Sequence, residues 1–300
     1  RIIRFLGKKD YLIDNSLSIN KLLLFTLYKF NQVIRGLFYR PFFKKINGLV
    51  FIGKRTNIKF MSNISLGKTV QIGDNVEIHS HVNIVGNTII GAETKIFPCA
   101  SIGTQPQDLK YKDEKNSLVI GKNNIIREYV TINPGTQGGG KATKIGDNCL
   151  FMISSHIAHD CQIGNNVVIA NNVPLGGHVT IEDSVIIGGN SAVQQFTRIG
   201  RLAMVGGMTG VLKDVIPFGL SFGNRNYLKG INLIGLRRNK YQNKTIMELD
   251  KAYKEIFSSK NLHENLRKIN GEYKENDLVK EVIDFIEKDK KRPICIPQSE

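Results

Sequence analysis

IGDNCLFMISSHIAHDCQIGNNVVIANNVPLGGHVTIEDSVIIGGNSAVQQFTRIGRLAMVGGMTGV, residues 145–211, carries an apolar side chain at every sixth position: Ile145, Phe151, Ile157, Ile163, Ile169, Leu175, Ile181, Ile187, Val193, Ile199, Val205 and Val211. Most residues between them are Gly, Asn, Asp, Ser, Thr or otherwise small. An α-helix scatters such positions around its axis at about 3.6 residues per turn, and simple strand alternation does not single them out. A period of six suits a parallel β-helix, in which each hexad supplies one short strand and one turn and the coils stack. The aliphatic side chains then point into the stack, and Gly or Asn is expected at corners that need unusual dihedrals.

Upstream, Leu66, Ile72, Ile78, Ile84, Ile90, Ile96 and Ile102 keep the same spacing, as do Ile120, Ile126 and Ile132. Two segments interrupt it. TQPQDLKYKDEKNSL (104–118) is polar and charged, and NPGTQGGGKAT (133–143) breaks the phase, so both are predicted to leave the coils as loops. The chain therefore divides into a basic amphipathic leader (1–47), an all-β core of stacked coils (48–223) and a helical domain (224–300). In the last, Ile246, Leu249, Ala252, Tyr253, Ile256 and Phe257 recur at helical spacing, and so do Leu278, Val279, Val282, Ile283 and Ile286. The tail KDKKRPICIPQSE is expected to fray.

The net charge of +16, concentrated at the two ends, suits nucleic acid, a membrane surface or an acidic protein. No nucleic-acid-binding motif accompanies it, so nucleic acid is not expected as a partner. In the leader, Leu22, Leu23, Leu24, Phe25, Leu27, Phe30, Ile34, Leu37 and Phe38 interleave with Lys21, Lys29, Arg35, Arg40, Lys44 and Lys45. The longest apolar run is far below the roughly 18–20 residues of a membrane span. Two readings remain: a cap on the end of the coil stack, or a helix lying on an anionic membrane. Cys99, Cys149, Cys161 and Cys295 form no CxxC pair and are expected to be free thiols.

A solenoid does not name a reaction. With about eighteen residues per coil, His159, the Gly176–Gly177–His178 turn and Gln194–Gln195 fall in one column, adjacent coils being about 4.8 Å apart. That column offers a base, an exposed glycine N–H and polar side chains, the parts that acyl transfer to a hydroxyl needs. Successive strand residues point to opposite faces, so Asp160 can orient His159 only from a corner. His79 and His81 read as surface residues. His156 and His159 lack the acidic or Cys partners of a metal site, so none is expected. Cys161 shows no dedicated base, and covalent catalysis is not expected.

Gln107-Asp108-Leu109-Lys110-Tyr111, Gln137-Gly138-Gly139-Gly140, His156-Ile157-Ala158-His159-Asp160-Cys161, Gly177-His178 and Val205-Gly206-Gly207 closely resemble the acyl-ACP–UDP-N-acetylglucosamine O-acyltransferases of lipid A biosynthesis, from about Val70 to about Lys290. The resemblance implies a left-handed β-helix and a cytoplasmic homotrimer with sites between subunits. It implies His159 as general base, Asp160 as its tuner and the Gly177 N–H as oxyanion donor. Asp108, Lys110, His156, His178 and Gln195 would hold a UDP-sugar, Gly207 would gauge the acyl chain, and Asn232, Arg237 and Arg238 would meet the nucleotide and the phosphopantetheine arm of acyl carrier protein. No metal or further cofactor is implied.

This chain departs from the family at residues 1–50, which have no counterpart there and resemble the leaders of sugar O-acetyltransferases near membranes. They are a candidate for peripheral contact with the inner membrane. Ile234, Asn239 and Arg225 stand where acidic, basic and histidine residues are expected. An acetyl-CoA-dependent sugar O- or N-acetyltransferase and a non-catalytic solenoid scaffold are the rival readings.

Overall fold

The structure, a computed structural model, describes residues 19–67, 69–258, 262–273, 275–289 and 292–298; the beginning of the predicted leader, 1–18, lies outside them. A left-handed parallel β-helix forms the body, built from sheets of nine, eight and ten strands that form three faces. Most strands are two residues long, and each pairs with the strand one coil away, as in Ile157↔Leu175, Ile163↔Ile181 and Ile169↔Ile187. Those pairs are eighteen residues apart, so the six-residue rhythm aligns an aliphatic side chain with its equivalent in the next coil. Ile157, Ile169, Ile187 and Phe151 are fully buried.

The corners follow a rule only half visible in the sequence. From Asn148 (φ 59°) to Met208 (φ 59°), one non-glycine residue in each hexad takes the left-handed conformation. Asn148, Asn166, Asn172 and Asn190 tolerate it through their short polar side chains, but Asp160, His178 and Phe196 do so too. Gly86 (φ 69°) and Gly103 (φ 78°) take it as expected, but between residues 145 and 211 glycine serves a different purpose. A Cβ on Gly146 would lie 2.6 Å from the Gly164 carbonyl oxygen, so these glycines allow close approach between coils.

The coils begin earlier than predicted, with Lys45–Ile46, and both interruptions are shorter. Strands Ser117–Ile120 and Ala142–Ile145 pair along their full length and return the chain to the stack two residues sooner in each case. At the far end, Gly219–Phe222 pairs antiparallel with Tyr227–Ile231, so the region read as helical from 224 has a strand as its first element. Helices α2 (Leu233–Arg238), α3 (Asn243–Ile256), α4 (Leu262–Glu272) and α5 (Asp277–Lys288) follow. Their predicted stripes are buried, except that Phe257 is half-buried.

Arg201 grips Glu281 through two nitrogens at 2.6 and 2.9 Å and thereby ties α5 to the coils. The tail does not fray within the described residues. Cys295 is fully buried, its backbone N–H donates to the Asp214 carbonyl at 2.8 Å, and Arg292 reaches the buried Asp214 carboxylate at 3.1 Å.

Helix α1 (Ile19–Tyr39) meets the first coil. Strand N–H groups donate to carbonyls of the coil above, as from Gly53 to Ile72, so the strand carbonyls of the first coil have no coil beneath them to pair with. The Arg35 Nε–H donates to one of them, Ile52 O, at 2.9 Å. Gly36 lies so close to Val50 O that a Cβ there would overlap it. Contacts of this kind are those of the cap reading.

Candidate active site

The corner between strands His156–Ile157 and Gln162–Ile163 holds Ala158 to Cys161. One coil on, the same corner holds Gly176 to Val179, and the next holds Gln194 to Thr197. Asp160 occupies the left-handed position (φ 61°), so a pair that strand alternation would separate meets at the bend. Its Oδ2 lies 2.9 Å from His159 Nδ1.

The Asp160 side chain is 0 % exposed. The Thr136 N–H donates to Oδ1 at 2.9 Å and Oδ2 at 3.0 Å, and the Thr136 hydroxyl donates to Oδ2 at 2.6 Å. Asp160 N–H in turn donates to Thr143 Oγ1 at 2.8 Å. Such pairing offsets the cost of burying a carboxylate. The second interruption therefore has a structural purpose: it returns Thr136 to Asp160, and a Cβ on Gly139 would overlap the carboxylate. Because carboxylate oxygens only accept, a neutral His159 carries its proton on Nδ1 and presents a lone pair at Nε2.

Gly177 stands over that ring. A Cβ there would lie 2.6 Å from both Nε2 and Cε1 of His159. Among the described residues no backbone acceptor pairs with the Gly177 N–H. His178 (φ 61°) sets its ring edge-on to His159, centroids 5.0 Å apart, and stacks on Phe196 at 4.4 Å. Burial, then the nearby His159, pull the His178 pKa below its ordinary value, against the opposing pull of Asp160 and Asp108. A polar cleft of about 460 Å³ opens beside it, lined by Asp108, Lys110, Lys112, Gln137, His178 and Phe196 among others.

His156 lies on the adjoining strand, its Nδ1 2.7 Å from Thr131 Oγ1, with a pKa lowered by burial and then by His159. Cys161 is fully buried, its thiol pushed up to about 12 by burial and donating to Gly176 O at 3.3 Å, which leaves it inert as a nucleophile.

One chain brings together only part of the predicted set. His159, Asp160, Gly177, His178, Asp108 and Lys110 converge, and Gln195 sits exposed at the same corner. Gly207 belongs to a different corner, between Met204–Val205 and Gly210–Val211. Asn232 caps α2, accepting from Gly235 N–H at 3.0 Å and donating to Leu202 O at 2.9 Å. Arg237 and Arg238 are exposed on α2, Arg237 beside a second cleft with Leu233, Met247 and Lys254. Ligand atoms of His159, Asp160 and His178 lie within 4.8 Å of one another. The Asp160 oxygens in that cluster are already engaged by Thr136 and His159, and His156 is not part of it.

Sequence reasoning passed over Thr136, Thr143 and Phe196. The run of glycines after Thr136 was a signal of close backbone approach, and Phe196 follows His178 by the eighteen-residue coil. The Thr143 contact had no signal.

Stacked coils with a polar corner of this kind are the architecture of the hexapeptide-repeat transferases, and residues 142–177 match the bacterial transferase hexapeptide family (six repeats). Residues 214–295 match domain 2 of UDP N-acetylglucosamine O-acyltransferase. An acyl-[acyl-carrier-protein]–UDP-N-acetylglucosamine O-acyltransferase of Rickettsia canadensis is 50 % identical over 215 residues, 71 % of this chain and 81 % of that protein. Its counterpart in Paracoccus denitrificans is 47 % identical over 191 residues, 64 % of this chain and 72 % of that one. The solved structure of a UDP-N-acetylglucosamine acyltransferase from Campylobacter jejuni superposes with a TM-score of 0.78 at 36 % identity, covering 85 % of this chain and 97 % of its own. The chain belongs to the acyl-ACP–UDP-N-acetylglucosamine O-acyltransferase family and is an acyltransferase.

Proposed function

We propose that this enzyme moves a (3-hydroxy)acyl chain from acyl carrier protein to the 3-position of UDP-N-acetylglucosamine, the first step of lipid A biosynthesis. His159 Nε2 takes the proton of the acceptor hydroxyl, Asp160 holds the imidazole in the accepting tautomer, and the Gly177 N–H receives the developing oxyanion. The acceptor oxygen attacks the thioester carbonyl directly, with no acyl-enzyme; collapse of the oxyanion breaks the C–S bond, and the phosphopantetheine sulfur leaves as a thiol with the proton that His159 took up. The observation that carries this reading is the His159–Asp160 pair, its carboxylate buried and clamped by Thr136, beneath a glycine that no side chain could replace.

In the cleft, Lys110 and Lys112 suit a diphosphate, while Asp108, Gln137 and His178, with Gln195 at the same corner, suit sugar and amide groups. His156 completes the donor set. A homotrimer would bring Gly207, Asn232, Arg237 and Arg238 of one subunit toward the His159 corner of the next. The lysines and arginines of the C-terminal helices suit an acidic carrier protein, whose phosphopantetheine arm delivers the acyl group. The enzyme works in the cytoplasm, at the inner face of the membrane.

Turnover of UDP-N-acetylglucosamine with long-chain 3-hydroxyacyl-ACP, compared between the natural enzyme and His159→Ala at equal thermal stability, tests the assignment. The variant should lose nearly all activity; substantial residual turnover removes His159 as the base. Turnover with acetyl-CoA alone would move the enzyme to the sugar acetyltransferases.

A further inference from the structure

Helix α1 is inside out. Tyr28, Lys29, Gln32, Arg35 and Gly36 face the coils: Tyr28 donates to Asp74 at 2.8 Å, Lys29 to Gln71 at 3.3 Å, and Arg35 to Ile52 O at 2.9 Å. The opposite face carries Leu23, Leu27, Phe30, Ile34, Leu37 and Phe38, each 47 to 70 % exposed. Their spacing of three or four residues lines them along one side of the helix for about 22 Å. A helix that served only to cover the coil stack would turn this stripe inward and its hydrogen-bonding groups outward.

The charge around the stripe identifies what covers it. From residue 15 to residue 73 the chain contains no Asp or Glu but ten Lys and Arg. Arg40, Lys44 and Lys45 are exposed where the helix ends, next to Phe42, itself 55 % exposed. A second copy of this face would set like charges together, whereas an anionic lipid surface offers both apolar depth and counter-charge. Among the described residues no helix is long and apolar enough to cross a membrane, so α1 would lie in the plane of the interface.

We propose that the outward face of α1 is a membrane-docking surface, the apolar stripe entering the acyl boundary of an anionic leaflet and Arg40, Lys44 and Lys45 meeting lipid phosphates. This does not depend on the acyl-transfer reading. The energetic logic is that apolar area already exposed in the protein is transferred to lipid without any unfolding.

Sedimentation of the full chain with vesicles tests it, comparing pure phosphatidylcholine with a mixture holding roughly a third phosphatidylglycerol. The protein should pellet with the anionic vesicles, and molar salt should release much of it. A Phe30→Glu/Ile34→Glu variant should stay in solution. A second variant, Arg40→Gln/Lys44→Gln/Lys45→Gln, leaves the helix packing untouched and should bind on the order of a hundredfold more weakly. Failure of the natural chain to bind anionic vesicles overturns the proposal. So does equal binding by all three proteins, or a stripe variant that changes only the oligomeric state, which would make a second copy the occupant.

Discussion

Replacing Asp160 with Asn would leave the corner intact and reverse the direction of two hydrogen bonds, those of Oδ2 with the Thr136 hydroxyl and with His159 Nδ1. The amide has two orientations. With its oxygen at the Oδ2 position, its nitrogen would face the Thr136 N–H at the 2.9 Å now spanned to Oδ1, donor against donor. With its nitrogen at Oδ2, its oxygen accepts the Thr136 N–H and the Thr136 hydroxyl turns to accept at 2.6 Å. The Thr136 N–H then keeps the shorter branch of its forked bond and gives up only the longer one, 3.0 Å to the Oδ2 position, while the amide points an N–H at His159 Nδ1 across 2.9 Å. The ring must then carry its proton on Nε2, where it cannot accept one from a hydroxyl. A tautomer swap of this type in a serine-protease triad lowers kcat about 10⁴-fold, and loss of a general base costs roughly 10²–10⁴-fold. The expected fall is therefore on the order of 10³-fold in kcat, about 4 kcal/mol in the barrier. Only the longer branch of the forked Thr136 N–H bond is lost, so stability should drop by only about 1–2 kcal/mol, chiefly the difference between charged and neutral bonds. Initial rates with acyl-ACP and UDP-N-acetylglucosamine, beside thermal melts of both proteins, measure the two quantities separately. A variant that melts normally and keeps more than about a tenth of the natural kcat would refute the orienting role of Asp160.

Gly177→Ala would drive a methyl group to 2.6 Å from His159 Nε2. The ring cannot yield without leaving Asp160, so kcat should fall by about 10²-fold with little change in melting temperature; an unchanged rate contradicts the packing described. His156 and His178 have folded pKa values below the ordinary 6.5, burial being the first cause in both. Below about pH 6.5 the unfolded chain binds protons that the folded chain resists, so their contribution is complete above that pH and is lost as pH falls toward the folded values. Denaturation midpoints of the natural chain should therefore decline from about pH 7 to about pH 5 more steeply than those of His156→Asn, and parallel curves would count against a buried neutral His156.

The stack was legible because one buried aliphatic per hexad is an obligation of the coil interior: Ile157 and Leu175 cannot be replaced by polar residues without losing the core. The corners were legible only in part, since left-handed backbone at Asp160, His178 and Phe196 follows from coil geometry rather than from residue preference. His159 could be placed beneath Gly177 by counting eighteen residues. The hydrogen bonds that hold Asp160 could not, because they come from Thr136, on an excursion whose path no period governs. The strand Tyr227–Ile231 escaped notice for a related reason: it closes a sheet edge against Gly219–Phe222, a partner that only the finished stack presents. The division of Gly207 from the His159 corner is likewise set by which edge of the prism its coil assigns it, whereas Arg238 lies on α2, outside the coils.

The Arg35 bond to the first-coil carbonyl has a meaning beyond local satisfaction. Every coil is a template for the next, so a bare terminal coil would invite another molecule to continue the pattern, as in a growing fibril. A guanidinium set crosswise over that template supplies a donor where another strand would have docked, and Gly36 pressed against Val50 leaves no room for one. A helix laid across the template in this way would leave a further molecule no pattern to continue.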